Sequence, residues 1–428
     1  MTTLLTMCDS DDVETEILSV PTHRPRSLAE VDVRQSVLED LALKILYLCG
    51  TLSVLELAAK SRLSAVVVTE LLPRLRTERF CHVTGMAGNI QQIAITSPGR
   101  ARAVELLFQS HYTGAAPVSL VSYAEQTRQQ SVRNVEAHPA DVERAFAHLV
   151  MDSEILEKLG TALNSGSSLF LYGPPGVGKT TMAEALSRVV AEDKVWVPYA
   201  VEVDGQIITI YDPAIHKRIR ELEPEDRDEC WVLCHRPAVL TGGELTVEML
   251  DLQYNPITKY YVAPAQLKAN NGVLIIDDFG RQRITPEELL NRWIVPLDRR
   301  IDFLTLVGGK KIEIPFEMLV VFASNIDPYK LLDAAFLRRI QTKIKIGAVS
   351  DEQFREIFRR VANECQVPFA PGIPDELIDF IHNTLHQELR SCFPRDIVNQ
   401  VCWAARYEGK KPYLDHTALR QAVEAYFL

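Results

Sequence analysis

The alternation of strands and helices between residues 141 and 347 predicts an α/β fold with a parallel sheet covered on both faces. Two apolar segments support this fold class. Ser168–Leu171 leads into a glycine-rich loop and then a helix through Val190. Val273–Ile276 is a continuous apolar run, which is typical of a central parallel strand. Beyond Asp351 the pattern is helical, so a helical unit is expected to follow the sheet.

Composition is typical of a soluble globular protein. The 428 residues exceed one ordinary core and predict two or three domains. Hydrophobic residues make up 47% and charged residues 24%, and the net charge of −11 disfavours nucleic acid as a partner of the whole surface. No apolar run approaches the ~20 residues that span a bilayer, and the acidic residues 1–19 are unlike a secretory signal. We therefore expect a cytoplasmic protein.

The eight cysteines show no spacing typical of a disulfide framework, and we expect reduced thiols. Cys230 and Cys234, followed by His235, have a spacing that metal sites use. No second pair of ligands lies nearby in the sequence. A buried strand from Cys230 to Cys234 is therefore the preferred interpretation.

Composition and turn residues divide the chain into consecutive segments. The first residues are acidic and interrupted by Pro21 and Pro25, which indicates a flexible tail. Gly114 and Pro117 lie in a polar stretch that indicates a linker with some helix. The predicted segments are a tail at 1–34, a compact N-terminal domain at 35–110, a linker at 111–140, the α/β domain at 141–347 with a hairpin insert at about 195–265, and a helical lid at 348–428.

The N-terminal domain is predicted to run helix, helix, helix, hairpin, helix. Ser64 is a candidate cap for the third helix, and the hairpin strands are Cys81–Thr84 and Gln91–Thr96. This order resembles a winged-helix domain, a helix-turn-helix variant with a β wing. Basic residues only slightly outnumber acidic ones in residues 36–110, and the third helix, Ser64–Leu75, is mostly apolar. DNA and protein therefore stay equally open as partners of this domain.

The most specific motif lies between strand Ser168–Leu171 and the helix after it. Residues 173–180 read Gly-Pro-Pro-Gly-Val-Gly-Lys-Thr and match the G-x-x-x-x-G-K-[ST] pattern of a phosphate-binding loop. Glycines allow successive backbone N–H groups to face phosphates, and the positive end of the helix adds to them. Lys179 is expected to reach the β and γ oxygens of ATP, and Thr180 to bind Mg²⁺. The candidate nucleotide-binding residues are Gly173, Pro174, Pro175, Gly176, Val177, Gly178, Lys179, Thr180 and Thr181.

Two carboxylates follow the apolar run Val273–Ile276. Asp277 is expected at the carboxyl end of a central strand, where α/β sheets bind ligands, and there it would hold Mg²⁺ together with Thr180. Asp278 is expected to orient and polarise the attacking water. The sequence therefore predicts a hydrolase site that uses ATP and Mg²⁺.

With these motifs in place, the chain resembles the AAA+ ATPases over about residues 141–428. The apolar strand Met318–Ala323 ends in Ser324-Asn325. The resemblance assigns Asn325 the sensor-1 role, between the magnesium carboxylate and the γ-phosphate.

Two further segments carry the resemblance toward the C-terminus. Leu332–Ile340 resembles the segment with the arginine finger, which completes the active site of a neighbouring subunit. Arg339 is slightly preferred over Arg338 for this role, because sequence alone barely separates them. Phe393-Pro394-Arg395 resembles sensor 2, where Arg395 would approach the γ-phosphate.

The resemblance implies ATP and Mg²⁺ as cofactors and a homo-oligomeric ring, with a hexamer as one arrangement. One position departs from it, because most members have Asp-Glu where this chain has Asp277-Asp278. Aspartate is one methylene shorter, so the water must lie closer to the carboxylate. Hydrolysis is still expected, and its rate is left open.

Two hairpins are predicted between the two nucleotide motifs. The first turns at Asp204-Gly205, a favoured hairpin pair, and the second is centred on Asn255-Pro256. The stretch Tyr261–Gly272 resembles MoxR-like ATPases and bacterial enhancer-binding activators, whose inserted hairpins grip a client near the ring pore. A hairpin that simply packs at a sheet edge is the equally favoured alternative.

Two functions fit these motifs. The leading hypothesis is a ring-forming motor that uses ATP turnover to remodel a protein client, which the sequence does not identify. The alternative is a DNA-binding, ATP-dependent switch in transcription or in mobile-element or replication assembly. A metabolic kinase is disfavoured, because it gives no reason for Asn325, Arg339 and a helical lid.

Overall fold

The computed structural model of the chain describes residues 23–224 and 226–427. Its N-terminal unit contains α1 (Gln35–Cys49), β1 (Leu52–Ser53), α2 (Val54–Ser61), α3 (Ala65–Thr77), β2 (Cys81–Ala87), β3 (Ile90–Ile95) and α4 (Ser97–Gln109). The strands form an antiparallel sheet in the order β1-β3-β2. Ser53 and Ser64 accept backbone N–H hydrogen bonds at the starts of α2 and α3, which fixes where both helices begin. This unit is α+β, and its resemblance to a winged helix stays a prediction.

The segment that leads into α1 lies against α3. The backbone N–H of Leu28 donates to Glu70 at 2.6 Å, and the hydroxyl of Ser64 donates to the carbonyl of Pro25 at 2.7 Å. Val33 is buried in the core of the unit. The packed chain therefore begins within the predicted tail, because its apolar residues reach the core, while residues 1–22 of that tail lie outside the described residues.

The segment between the N-terminal unit and the α/β core is folded onto both. It contains β4 (Val118–Ser119), α5 (Leu120–Gln129) and α6 (Pro139–Phe146). Tyr123 and Thr127 of α5 are buried. The phenol of Tyr123 accepts a hydrogen bond from Asn270 at 2.8 Å. Residues 111–140 thus connect the two parts through packed contacts.

The α/β core follows in chain order. Its first half contains α7 (Ser153–Ser165), β5 (Leu169–Tyr172), α8 (Lys179–Val190), β6 (Lys194–Pro198), β7 (Ala200–Val203), β8 (Gln206–Thr209), β9 (Trp231–His235), β10 (Ala238–Thr241), β11 (Gln253–Tyr254), β12 (Tyr261–Val262), α9 (Ala265–Lys268) and β13 (Val273–Ile276). Its second half contains α10 (Pro286–Arg292), α11 (Ile294–Arg299), β14 (Ile301–Thr305), β15 (Lys311–Pro315), β16 (Leu319–Ser324), α12 (Pro328–Leu331), α13 (Ala334–Arg339) and β17 (Thr342–Lys345).

The central sheet has five parallel strands in the order β10-β13-β16-β5-β17. Alternate side chains of its strands enter two separate hydrophobic cores, one on each face. Leu169 and Leu171 face the core that α8 completes, whereas Phe170 and Phe322 face the other. Burial on both faces explains why β13 reads as an unbroken apolar run. The predicted α/β fold class, with a parallel sheet covered on both faces, is confirmed.

Four of the inserted strands join β4 in a second, mixed sheet in the order β11-β12-β8-β7-β4, while β6 and β9 pair with each other in a separate antiparallel sheet. Both predicted hairpins are present, and the first turns at Asp204 and Gly205, which have φ values of 51° and 83°. Strand β10 interrupts the insert, since it pairs with β13 at the edge of the central sheet. Cys230 lies just before β9 and Cys234 lies within it, and both are buried, as the strand interpretation requires. No metal-ligating cluster of His, Cys, Asp or Glu occurs in the described part of the chain.

The C-terminal region is a helical unit with its own core. Its helices are α14 (Asp351–Glu364), α15 (Ile373–Asp379), α16 (Phe393–Tyr407) and α17 (His416–Phe427), and a π-helical turn at Phe380–Thr384 extends α15. None of the helices described has both the length and the apolar content needed to cross a bilayer.

We expect Asn271→Ala to destabilise the fold. The buried Asn271 amide accepts a hydrogen bond from Gln130 at 2.9 Å and donates to the carbonyl of Thr127 at 2.7 Å, so it holds α5 to the start of β13. Its φ of 65° also suits asparagine better than alanine. Removing the amide should lower the free energy of unfolding by about 1–3 kcal/mol, measured by urea denaturation. Asn291→Ala, at an exposed position of α10, is the control. Equal urea midpoints for both variants would contradict this role.

Candidate active site

The loop between β5 and α8 has the backbone shape of an anion-binding site. A Cβ atom at Gly173 would lie 2.0 Å from the carbonyl oxygen of Ile346, and Gly178 has a φ of 88°, so both positions favour glycine. Within residues 23–224 and 226–427, the N–H groups of residues 176 to 181 donate to no acceptor of the chain. These donors, at the start of α8, face the position that a phosphate group would take.

The Lys179 amine sits at the centre of the site. It donates to the carbonyls of Gly173 at 3.0 Å and Pro174 at 2.8 Å, and to the side-chain oxygen of Asn325 at 2.7 Å. Burial lowers the pKa of the Lys179 amine, and the charges of Asp277 and Asp278 oppose that shift. The side chain is therefore positioned by the loop itself and by the neighbouring strand β16.

Thr180 and Asp277 come together at the end of β13. The Thr180 hydroxyl donates to the Asp277 carboxylate, 2.9 Å from each carboxylate oxygen. Gln282 donates to the Asp277 carbonyl at 2.6 Å and helps to fix the turn after the strand. A hydroxyl and a carboxylate are hard oxygen ligands of the kind that Mg²⁺ takes alongside water and phosphate oxygens. The residues present therefore fit Mg²⁺.

Asp278 and Asn325 form the third part of the site. The Asn325 amide donates to the Asp278 carboxylate at 3.1 Å, while its oxygen accepts from Lys179. Asp278 has a φ of 49°, which turns the chain sharply after β13. Asn325 thus links the amine to the second carboxylate.

A cavity of about 1000 Å³ opens between this loop and the helical unit. The Cys392 N–H donates to the carbonyl of Gly176 at 3.0 Å, and the Ser391 hydroxyl donates to the same oxygen at 3.1 Å. These contacts join the start of α16 to the glycine loop. Sequence reasoning missed both residues, because neither belongs to a motif.

Apolar side chains also line the cavity. Val150, Met151 and Ile155 line it from the segment before and within α7, and Ile357 and Val361 line it from α14. These residues were also missed by the sequence analysis. The apolar run Leu149–Met151, just ahead of a helix, was the available signal, but an apolar run before a helix more often marks ordinary packing.

Arg395 lies on the cavity wall and is held by a carboxylate of the helical unit. Its guanidinium donates to Glu364 at 2.7 and 3.4 Å, and this hydrogen bonding raises the pKa of Arg395. The same pairing lowers the pKa of Glu364. The sensor-2 role of Arg395 stays a prediction, and sequence reasoning had no means to find Glu364.

Arg338 and Arg339 lie apart from the other site residues, at the end of α13, and neither lines the cavity. Arg339 donates to Asp298 at 2.9 Å and to the carbonyl of Ala335 at 3.0 Å, so its side chain is tied to its own chain. Arg338 is exposed, and its guanidinium makes no hydrogen bond or salt bridge within the described residues. The two arginines therefore differ in their contacts, a difference that the sequence alone did not reveal.

A family model described as a domain of unknown function, DUF8689, matches residues 350–425, which span most of the helical unit. No curated protein matches the chain.

Among solved structures, NtrX from Brucella abortus in complex with ADP is similar at 15% identity and a TM-score of 0.40, covering 65% of this chain and 56% of the NtrX chain. This chain therefore spans little more than half of NtrX. RuvB of Thermotoga maritima, a Holliday junction branch migration motor, is similar at 15% identity and a TM-score of 0.36, covering 64% of this chain and 70% of the RuvB chain. Similarities this weak do not identify a function.

Proposed function

We propose that this chain binds ATP with Mg²⁺ and hydrolyses it, as an ATPase of the AAA+ type. The observation that carries the proposal is the meeting of Lys179, Thr180, Asp277, Asp278 and Asn325 at the carboxyl ends of three neighbouring parallel strands. This edge of a parallel sheet is where α/β proteins bind ligands.

Each side chain has a role that its contacts support. The free N–H groups of residues 176 to 181 and the Lys179 amine would bind the phosphates, and Thr180 and Asp277 would hold Mg²⁺. When bound, the metal would neutralise charge on the phosphate oxygens. Asp278 would accept a hydrogen bond from the attacking water, and Asn325 would keep that carboxylate beside the amine.

The position of the finger arginines supports assembly into a homo-oligomer. Since neither Arg338 nor Arg339 lines the cavity of its own chain, either could act only on a neighbouring subunit's nucleotide. We favour Arg338, because Arg339 would first have to leave Asp298. In a ring, every chain places this helix against the next chain, so each nucleotide site receives an arginine from its neighbour.

A protein client fits the N-terminal unit better than DNA does. Helix α3, the counterpart of a recognition helix, is covered on one side by the segment that contains Pro25 and Leu28. Its Arg74 lies 3.6 Å from Glu39, which partly balances the charge of the guanidinium. We therefore propose that the motor remodels a protein client. If DNA is found to control ATP turnover, the DNA-binding, ATP-dependent switch replaces this proposal.

We expect duplex DNA to leave ATP turnover unchanged. If the N-terminal unit does not read DNA, adding a mixed-sequence duplex should change the rate by less than about twofold, at low salt where phosphate contacts are strongest. The measurement is phosphate release by the full chain, with particle mass followed in parallel. A rate that rises severalfold with duplex and loses this increase at high salt would support the DNA switch.

We expect Asp278→Asn to retain ATP and Mg²⁺ binding while turnover falls by about 10²-fold or more, because the water loses its polarising carboxylate. Nucleotide affinity by calorimetry and phosphate release by a coupled assay separate the two effects. Asp379→Asn, at an exposed position of α15, is the matched control and should behave like the parent. Undiminished turnover would move the base elsewhere, for example to Glu287.

We expect complementation between two inactive variants. Lys179→Ala chains lack the phosphate-binding amine but keep the finger, whereas Arg338→Ala chains keep the loop but lack the finger. Each alone should lose nearly all turnover, since a finger in trans can contribute ~10³-fold or more in rate. Mixed together they should recover part of it, because some interfaces pair an intact loop with an intact finger.

Arg339→Ala is tested in the same mixtures, and turnover per chain is measured against protein concentration. If neither arginine variant is rescued and turnover does not depend on concentration, the arginines act within one chain and the ring proposal fails.

A further inference from the structure

A second cavity, of about 530 Å³, lies between the N-terminal unit and the inserted strands, far from the glycine loop in the chain. One wall is a face of α1 that includes Val37, Leu41 and Lys44. The opposite wall is formed by three hairpin turns, those of β7–β8, β11–β12 and β14–β15, which contribute Gly205, Lys259 and Val307. A volume of this size is within the range of small-molecule sites, roughly 300–1000 Å³.

The Lys44 amine in this cavity forms no salt bridge within the described residues, although the negative charge of the nearby Asp40 favours its protonated form. Lys44 is only 7% exposed, and within the described residues its amine has one acceptor, the carbonyl of Ser110 at 3.3 Å, and no salt bridge. An ammonium group has three donors, and a buried charge without a partner is costly. Two of the three donors are therefore available to a bound acceptor.

The acidic groups of the same cavity are directed to other cations. Asp40 lies 3.9 Å from Arg102 of α4, and Asp204 is paired with Lys310 of the β14–β15 turn. Arg34, at the cavity edge, is paired with Glu202. The amine of Lys259 contacts the carbonyl and ring of Phe108. Lys44 is thus the buried cation of the cavity, and no carboxylate of the described residues lies within salt-bridge distance of its amine.

The mouth of the cavity is apolar and aromatic. Val307 is 63% exposed and Tyr254 is 41% exposed, although both side chains are hydrophobic. The rings of Tyr254 and Tyr261 lie 5.1 Å apart, and the Tyr261 hydroxyl accepts the N–H of Val307 at 2.8 Å. An apolar rim around a buried cation is the arrangement of a site that takes an amphipathic anion.

We propose that this cavity binds a small organic carboxylate, with its charged group on Lys44 and an apolar or aromatic body against Tyr254 and Val307. A monoanion fits better than a phosphate dianion, because Asp40 and Asp204 lie in the same cavity. The site would also join the N-terminal unit to the β14–β15 hairpin, which leads directly into β16 and Asn325.

The test uses the full chain and the aromatic carboxylate 1-naphthoate as the probe, with 1-naphthalenemethanol as its neutral counterpart. Equilibrium dialysis should show saturable binding of about one naphthoate per chain, at least about tenfold tighter than the alcohol. Lys44→Met should weaken naphthoate binding by about tenfold or more, whereas Lys60→Met, at an exposed position of α2, should not. Lys44→Met is expected to fold, since an apolar residue of similar length replaces a buried charge.

Two further measurements keep the outcome clear. Val307→Glu places a negative charge at the exposed rim and should also weaken naphthoate binding without affecting the fold. Burial lowers the pKa of Lys44 to about 8, so binding should fall by about tenfold between about pH 7 and about pH 9 as the amine loses its proton. Asp40, Arg102, Asp204 and Lys259 are the other charged groups near this amine.

The proposal is overturned if naphthoate does not bind saturably, or if Lys44→Met binds it as tightly as the parent. It is also overturned if Lys179→Ala abolishes binding, because the probe would then occupy the cavity at the glycine loop. None of these measurements depends on ATP turnover, so their outcome is separate from that of the proposed ATPase.

Discussion

Parallel pairing of β5, β16 and β13 is the constraint on which the candidate active site depends. The register places Ser324 opposite Tyr172 and Phe322 opposite Ile276, so all three strands end at one edge of the sheet. The residues that follow these strands then lie within hydrogen-bond distance of one another. Both faces of the sheet are buried, so a shift of one residue in strand register would turn each side chain of that strand into the opposite core. Such a shift is strongly disfavoured. The same apolar packing that stabilises the fold therefore positions the polar site.

A second consequence of packing is that the N-terminal unit and the inserted strands share one hydrophobic core. Ion pairs support this junction, for example Arg62 with Glu229 and Arg34 with Glu202. The insert hairpins are therefore built into a sheet. Since the β14–β15 hairpin of this region continues into β16, a change at its turn has a short path to the active site.

Local sequence patterns were sufficient for much of the structure. The glycine loop, the strand before Asp277 and the turn at Asp204-Gly205 were predicted from residues within a few positions of one another, because backbone conformation and strand burial leave direct marks on the sequence. The same reasoning did not find β10 in the central sheet or the packing of α5. Those features depend on partners such as β13 and Asn270, which are distant along the chain.

The sequence by itself determined which chemical groups the candidate active site contains and which strands carry them. Lys179, Thr180, Asp277 and Asp278 follow from motifs whose spacing is local, and Asn325 follows from the resemblance to AAA+ ATPases. Tertiary structure alone decided that Arg339 is held by Asp298, that Arg395 is held by Glu364, and that Lys44 is buried at a cavity without a salt bridge within the described residues. The physical reason is that the charge balance and freedom of a side chain depend on groups brought close by folding, and a one-dimensional pattern does not record those neighbours.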